Sequence, residues 1–188
     1  MSGVSDALHD LNAYNVYRKK TSINPTADKF YRSAKVPFAF NYSDGTLDVG
    51  HNNDSQSDHG THVAGIVAAN QTEGTDVVGV APDAQLLVMK VFGKNGSTLD
   101  GIIAAMEDSV RLNADVINMS LGSPAGFAVD EFKLYDKIMT VAEKAGVVLA
   151  IAAGNSYSAA YGNGLGTNLN LASDPDIGTV STLSLIHI

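Results

Sequence analysis

The residues of this chain best suited to chemistry sit in two short strings. The first is Asp58-His59-Gly60-Thr61-His62-Val63-Ala64-Gly65 and the second is Ala152-Ala153-Gly154-Asn155. His59 opens a compact run with small residues at 60, 64, 65, 68 and 69, a pattern that predicts a helix packed tightly into a core and holding its first residue rigid. An oriented imidazole is what a general base requires. Asn155 follows an apolar run and a glycine, where a carboxamide N–H can point into a cleft toward a developing oxyanion. Each string has a plainer reading when taken alone. Gly154-Asn155 could be an ordinary left-handed turn. His59 and His62 could form a structural cluster or, with His51 or Asp58, a metal site. The His-x-x-His pair lacks the intervening Glu and the downstream ligand of known zinc motifs.

The elements that must position these groups alternate in type. Leu86–Val91 has strand length without strict alternation, as expected of a strand buried on both faces. Ser97 and Asp100 have capping-box spacing, and Leu99, Ile102, Ile103, Met106 and Val110 form one helical stripe. Val116–Met119 reads as a second strand. Asp130 can cap a helix whose stripe is Phe132, Tyr135, Met139 and Ala142, with Gly146 placed to end it. Val147–Ala152 reads as a third buried strand. The fold class is therefore α/β: a mostly parallel sheet with helices on both faces, the three strands lying in one sheet. Ligands bind such sheets where loops leave the carboxyl ends of strands, and Ser120-Leu121-Gly122 and Gly154-Asn155 occupy two of those exits.

The two strings resemble the histidine and oxyanion blocks of the subtilisin-like serine proteases, the subtilases. Gly79-Val80-Ala81-Pro82, Val88-Met89-Lys90-Val91, Val116 to Gly122 and Gly146-Val147-Val148 resemble the family's core segments between them. The resemblance is clear over 58–155 and extends to Thr182, so that 1–182 is similar to part of a subtilase catalytic domain. It implies a serine endopeptidase with His59 as general base and Asn155 in the oxyanion hole. Ser120, Leu121 and Gly122 would form one wall of the cleft, pairing with substrate backbone as an added strand, and Ala152, Ala153 and Gly154 the other. Gly96 to Thr98 would be the opposite edge segment. Pro82 to Phe92 and Leu171 to Gly178 are similar to bacterial cell-envelope proteinases of the lactocepin and C5a-peptidase type, which implies secretion or wall attachment.

The family pattern also breaks. It carries an Asp in a context such as Val-Ile-Asp-Thr-Gly before the histidine, and Asp6, Asp10, Asp28, Asp44, Asp48, Asp54 and Asp58 all lack the preceding apolar strand. The orienting acid is expected upstream of Met1. The nucleophile block Gly-Thr-Ser-Met-Ala is absent as well, and Ser120, Ser123, Ser156 and Ser181 lack the small-residue helix that would present such a serine. Residues 183–188 do not continue the pattern and are expected to come from an artefactual reading-frame end. The alternative function is a non-catalytic peptide-binding module that keeps the cleft walls.

Composition limits the partners. The 188 residues carry a formal charge of −8, with 45% hydrophobic and 17% charged residues and no cysteine. That argues against a general affinity for nucleic acid or anionic membranes and excludes disulfides and thiolate sites. No stretch approaches a membrane span and no secretory signal is visible; the partner that the resemblance implies is a protein or peptide substrate. Six of the 12 Lys and Arg residues fall between Arg18 and Lys35 and read as a solvated face. Residues 41–58 read as an acidic loop. Its spaced carboxylates could hold calcium, but they match no EF-hand, so no metal or cofactor is assigned.

Overall fold

Phe38-Ala39-Phe40-Asn41 places two aromatic rings on one side of an extended segment and a methyl and a carboxamide on the other. All four residues are buried in strand β1 (Phe38–Asn41). The structure is a computed structural model that describes residues 2–51, 58–71, 74, 76–122 and 133–154. It divides into two compact units, Met1–Ala114 and Asp115–Ile188.

In the first unit, α1 (Ser2–Ala7) and a 3-10 turn lead into α2 (Asn12–Thr21), and β1 follows a second 3-10 turn at Ala27–Lys29. After α3 (His59–Ala68), β2 (Leu87–Lys90) returns parallel to β1, with Phe38 opposite Leu87 and Asn41 opposite Lys90. A short antiparallel hairpin of β3 (Phe92–Gly93) and β4 (Gly96–Ser97) then feeds α4 (Leu99–Arg111). The core is aromatic. Phe30 stacks on Phe38 at 5.3 Å between ring centroids and meets Phe40 edge-on at 5.7 Å, and Phe40 meets Tyr42 at 5.0 Å and 90°. Positions 38, 40 and 42 thus build one row from the period of two.

The Tyr42 hydroxyl ends that row on a buried acid. It donates to Asp108 Oδ2 at 2.9 Å, and the same carboxylate accepts the backbone N–H groups of Asn12 (2.8 Å) and Ala13 (2.9 Å) and Arg111 Nη1 (3.0 Å). Asp108 has no exposed surface. It caps the N-terminus of α2, whose own preceding residue is Leu11 with no capping side chain.

Helix α4 follows its predicted stripe: Ile102, Ile103 and Met106 are buried. Its cap is shifted by one residue from the expected Ser97, because Thr98 Oγ1 accepts from the Gly101 N–H at 3.2 Å. The basic segment matches a solvated face at Arg18, Lys19, Lys20, Lys29 and Arg32. Lys20 and Lys35 nevertheless bond the carbonyls of Asp44 and Pro82.

The second unit is a parallel pair, β5 (Val116–Met119) with β6 (Val148–Ile151), joined through α5 (Lys133–Lys144). Met139 and Ala142 of the predicted stripe are buried. Asp130, Phe132 and the side chain of Tyr135 lie outside the described residues. Gly146 ends the helix as expected. At φ +80° its N–H donates to Glu143 O (2.9 Å), and the Val147 N–H donates to Ala142 O (3.0 Å), a Schellman closure. Gly146→Ala forces a Cβ into the left-handed region and should cost about 1–2 kcal/mol. Faster amide exchange at Val148–Ile151 is the measurement.

The α/β class holds. Within the first unit β2 pairs in parallel with β1, a strand that the sequence analysis passed over, and β3 pairs antiparallel with β4; within the second, β5 pairs in parallel with β6. The burial expected of the predicted strands on both faces is not found. Residues of β2 are half-buried, and Val116 and Val148 are 56% and 60% exposed. No helix among the described residues is long and apolar enough to cross a membrane.

Candidate active site

His59 is the first residue of α3, as its string predicts, and it is exposed. The helix has weak local support, since Gly60 and Gly65 each cost about 1 kcal/mol relative to Ala and Thr61, Val63, Ile66 and Val67 are β-branched. Ten residues of such composition do not hold a helix in isolation. The expected tight core packing is not found: Ala68 is the one buried residue of α3, and Ile66 is 57% exposed.

What holds α3 is at its other end. The N–H groups of Gly79, Val80 and Ala81 donate to the carbonyls of Ala69 (2.9 Å), Ile66 (2.9 Å) and Val67 (2.8 Å). These are acceptors that a helix C-terminus leaves unpaired. At the N-terminal end, the His62 N–H donates to Asp58 O at 2.9 Å, and the His62 side chain is exposed one turn from His59. His51, Asp58, His59 and His62 do not gather: no group of three or more potential metal ligands occurs among the described residues.

In the second unit the structure brings two predicted wall segments together. Met119 lies opposite Ile151 in register, so Ser120-Leu121-Gly122 and Ala152-Ala153-Gly154 leave the carboxyl ends of neighbouring parallel strands. The Ala152 N–H donates to Met119 O at 3.1 Å, and Asn118 Nδ2 donates to Ser120 Oγ at 3.0 Å. Ser120, Gly122, Ala152, Ala153 and Gly154 are exposed. Gly154 has φ +100°, a left-handed conformation that favours glycine. Asn155 lies outside the described residues, as does the Leu171 to Gly178 string. Gly96, at φ +91°, turns the β3–β4 hairpin in the first unit, directly before the Thr98 cap of α4.

The segment 79–81 was not legible as part of this arrangement. Its Gly-Val-Ala-Pro string is noticeable in the sequence, but nothing in local propensity says that its amides face a helix ten residues back.

Comparison with known proteins bears on the whole chain. Residues 7–181 match the family model described as the subtilase family. The PI-type proteinase of Lactococcus lactis subsp. cremoris is 43% identical over 67% of this chain, and the match spans 7% of that proteinase's length. Subtilisin E of Bacillus subtilis is 40% identical over 67% of this chain and 32% of its own length. Among solved structures, the protease domain of PatA superposes with a TM-score of 0.50 at 27% identity, covering 58% of this chain and 39% of that one. A lanthipeptide protease gives 0.50 at 26% identity, covering 68% and 34%. The histidine-bearing helix, the paired strand exits and a family match over most of the chain agree: this chain belongs to the subtilase family of serine proteases and has an incomplete subtilisin-like α/β fold.

Proposed function

We propose that this chain forms the middle of the catalytic domain of a subtilisin-like serine endopeptidase acting on protein or peptide substrates outside the cell or at its wall. His59 is the general base, taking the proton from a serine hydroxyl and returning it to the leaving amine. Asn155 donates its carboxamide N–H to the oxyanion of the tetrahedral intermediate. Ser120–Gly122 receives the substrate backbone as an added strand, and Ala152–Gly154 lines the other side. The orienting Asp and the nucleophilic Ser come from outside these 188 residues, which contain neither block. The location follows from the resemblance to cell-envelope proteinases and is checked by fractionating cells that express the parent protein.

The observation that carries the reading is the register of β5 and β6. Met119 opposite Ile151 sets the segments 120–122 and 152–154 at neighbouring strand exits, the place where an α/β sheet binds ligands. In a proteinase containing this segment, His59→Ala should lower kcat by about 10⁴-fold or more, with KM changed little, since the base acts in the transition state. Retention of activity within tenfold would remove His59 from the mechanism. The 188-residue chain itself should hydrolyse no peptide and take no label from a fluorophosphonate probe, and a labelled serine would overturn that part.

A further inference from the structure

We propose that Gly79–Ala81 is a positioning strap for His59, and that Gly79 is the position where a side chain cannot be accommodated. The inference rests on the reading of His59 as the base. Helix α3 is short, glycine-containing and buried at Ala68 alone, so neither propensity nor burial fixes where its first residue lies. Three backbone hydrogen bonds of 2.8–2.9 Å from the strap to Ala69, Ile66 and Val67 do so instead.

The approach is close because residue 79 has no Cβ. A Cβ built there would lie 2.4 Å from the Ala69 nitrogen, 2.5 Å from the Ala68 nitrogen and 2.7 Å from the Ala68 Cα. All three are backbone atoms, so no side-chain rotation relieves the overlap. Gly79 is buried although Val78 and Val80 on either side of it are exposed.

The strap is itself anchored at its far end. The Ala84 N–H closes a turn on Ala81 O (3.0 Å), Lys35 Nζ reaches Pro82 O, Gln85 Nε2 donates to Ala34 O (2.7 Å), and the Leu86 N–H donates to Lys35 O (2.8 Å). Leu86 then enters β2, which pairs with β1. The end of α3 is therefore referred, through eight residues, to the β1–β2 pair. His59 lies at the other end of the same ten-residue helix, so a shift of that reference displaces it, and small displacements at a base cost rate even when nothing touching substrate has changed.

The test uses the 188-residue chain, Gly79→Ala, and Val77→Ala as a control at an exposed valine outside the strap. Two imidazoles report separately by NMR. His59 reports the start of α3, and His9, edge-on to the Tyr14 ring at 4.8 Å, reports the body of the same unit. Gly79→Ala should move and broaden the His59 ring signals and speed amide exchange along α3 by about tenfold or more. His9 should keep its shift, and Val77→Ala should change neither. Unchanged His59 signals and α3 exchange in Gly79→Ala would overturn the strap. So would equal disturbance of His9, which would make Gly79 a general core position. In a proteinase containing the segment, Gly79→Ala should lower kcat with KM held. Activity surviving His59→Ala would refute the base while leaving the NMR outcome standing, so the two failures are separable.

Discussion

Replacing Asp108 by alanine should destabilise the 1–114 unit by about 3 kcal/mol, read as a lower urea midpoint at unchanged slope. The carboxylate is fully buried and takes four donors from three elements: two α2 amides, the Tyr42 hydroxyl after β1, and Arg111 on its own helix. Alanine leaves the Ala13 N–H and the Tyr42 O–H buried without acceptors, each costing about 1–3 kcal/mol. Relief of the buried charge offsets part of the loss. Asp108→Asn should cost roughly half as much. Its amide is best turned toward Tyr42, whose oxygen can accept from it, while the carbonyl stays with Asn12 and Arg111, and one amide of α2 is then left facing a donor. Equal midpoints for the wild type and Asp108→Ala would mean that the carboxylate caps nothing of consequence.

The same site sets a pH dependence. Burial holds Asp108 above its ordinary value of 3.8, although bonds from Ala13, Asn12, Tyr42 and Arg111 pull the other way. Because the folded value exceeds the unfolded one, this contribution to stability is fully present below 3.8 and is lost as pH rises through the folded value. Tyr42 is held well above 10.0, first by burial, then by the charge of Asp108 and the hydrogen bond to it, with Arg111 opposing. Its contribution is complete below 10.0 and is lost as pH climbs through the folded value. Urea midpoints should therefore fall as pH rises above about 10 in the wild type, and fall less in Tyr42→Phe, which has no proton to lose.

The parts legible in the sequence are those governed by short-range rules. The stripe of α4, the Gly146 stop and the approximate limits of β2, β5 and β6 all follow from periodicity and turn chemistry. So does the start of α3 at His59. Strand β1 was not legible, because four residues after Pro37 are too few for a period to declare itself and the acidic turn begins immediately afterwards. Strand partners were also out of reach. Apolar runs reveal strands, but pairing β2 with β1 is decided by contacts some fifty residues apart. The site shows the same division. Residue types mark His59 and the strand exits, whereas nothing local sets Asp108 apart from the other carboxylates of its helix, because its role depends on Asn12, Ala13 and Tyr42, all more than 60 residues away.

Phe40→Ala should be comparably severe, about 3–5 kcal/mol, for a different reason. The ring is fully buried between Phe30 and Tyr42, and residue 40 lies opposite Met89 in the β1–β2 register. Its removal opens a cavity on the strand that pairs with β2, where neighbours on a hydrogen-bonded ladder cannot simply collapse inward. Phe40→Leu keeps most of the volume and should cost about 1 kcal/mol. Phe40 and Phe30 meet edge-on, so a double-mutant cycle of Phe40→Leu with Phe30→Leu should show a coupling of about 0.5–1.5 kcal/mol beyond the separate losses. Strict additivity would mean that the aromatic row acts by volume alone. A cost below 1 kcal/mol for Phe40→Ala would remove β1 from the core. It would also undercut the strap, because a helix referred to β1 through β2 and residues 79–86 can be no better fixed than β1 is.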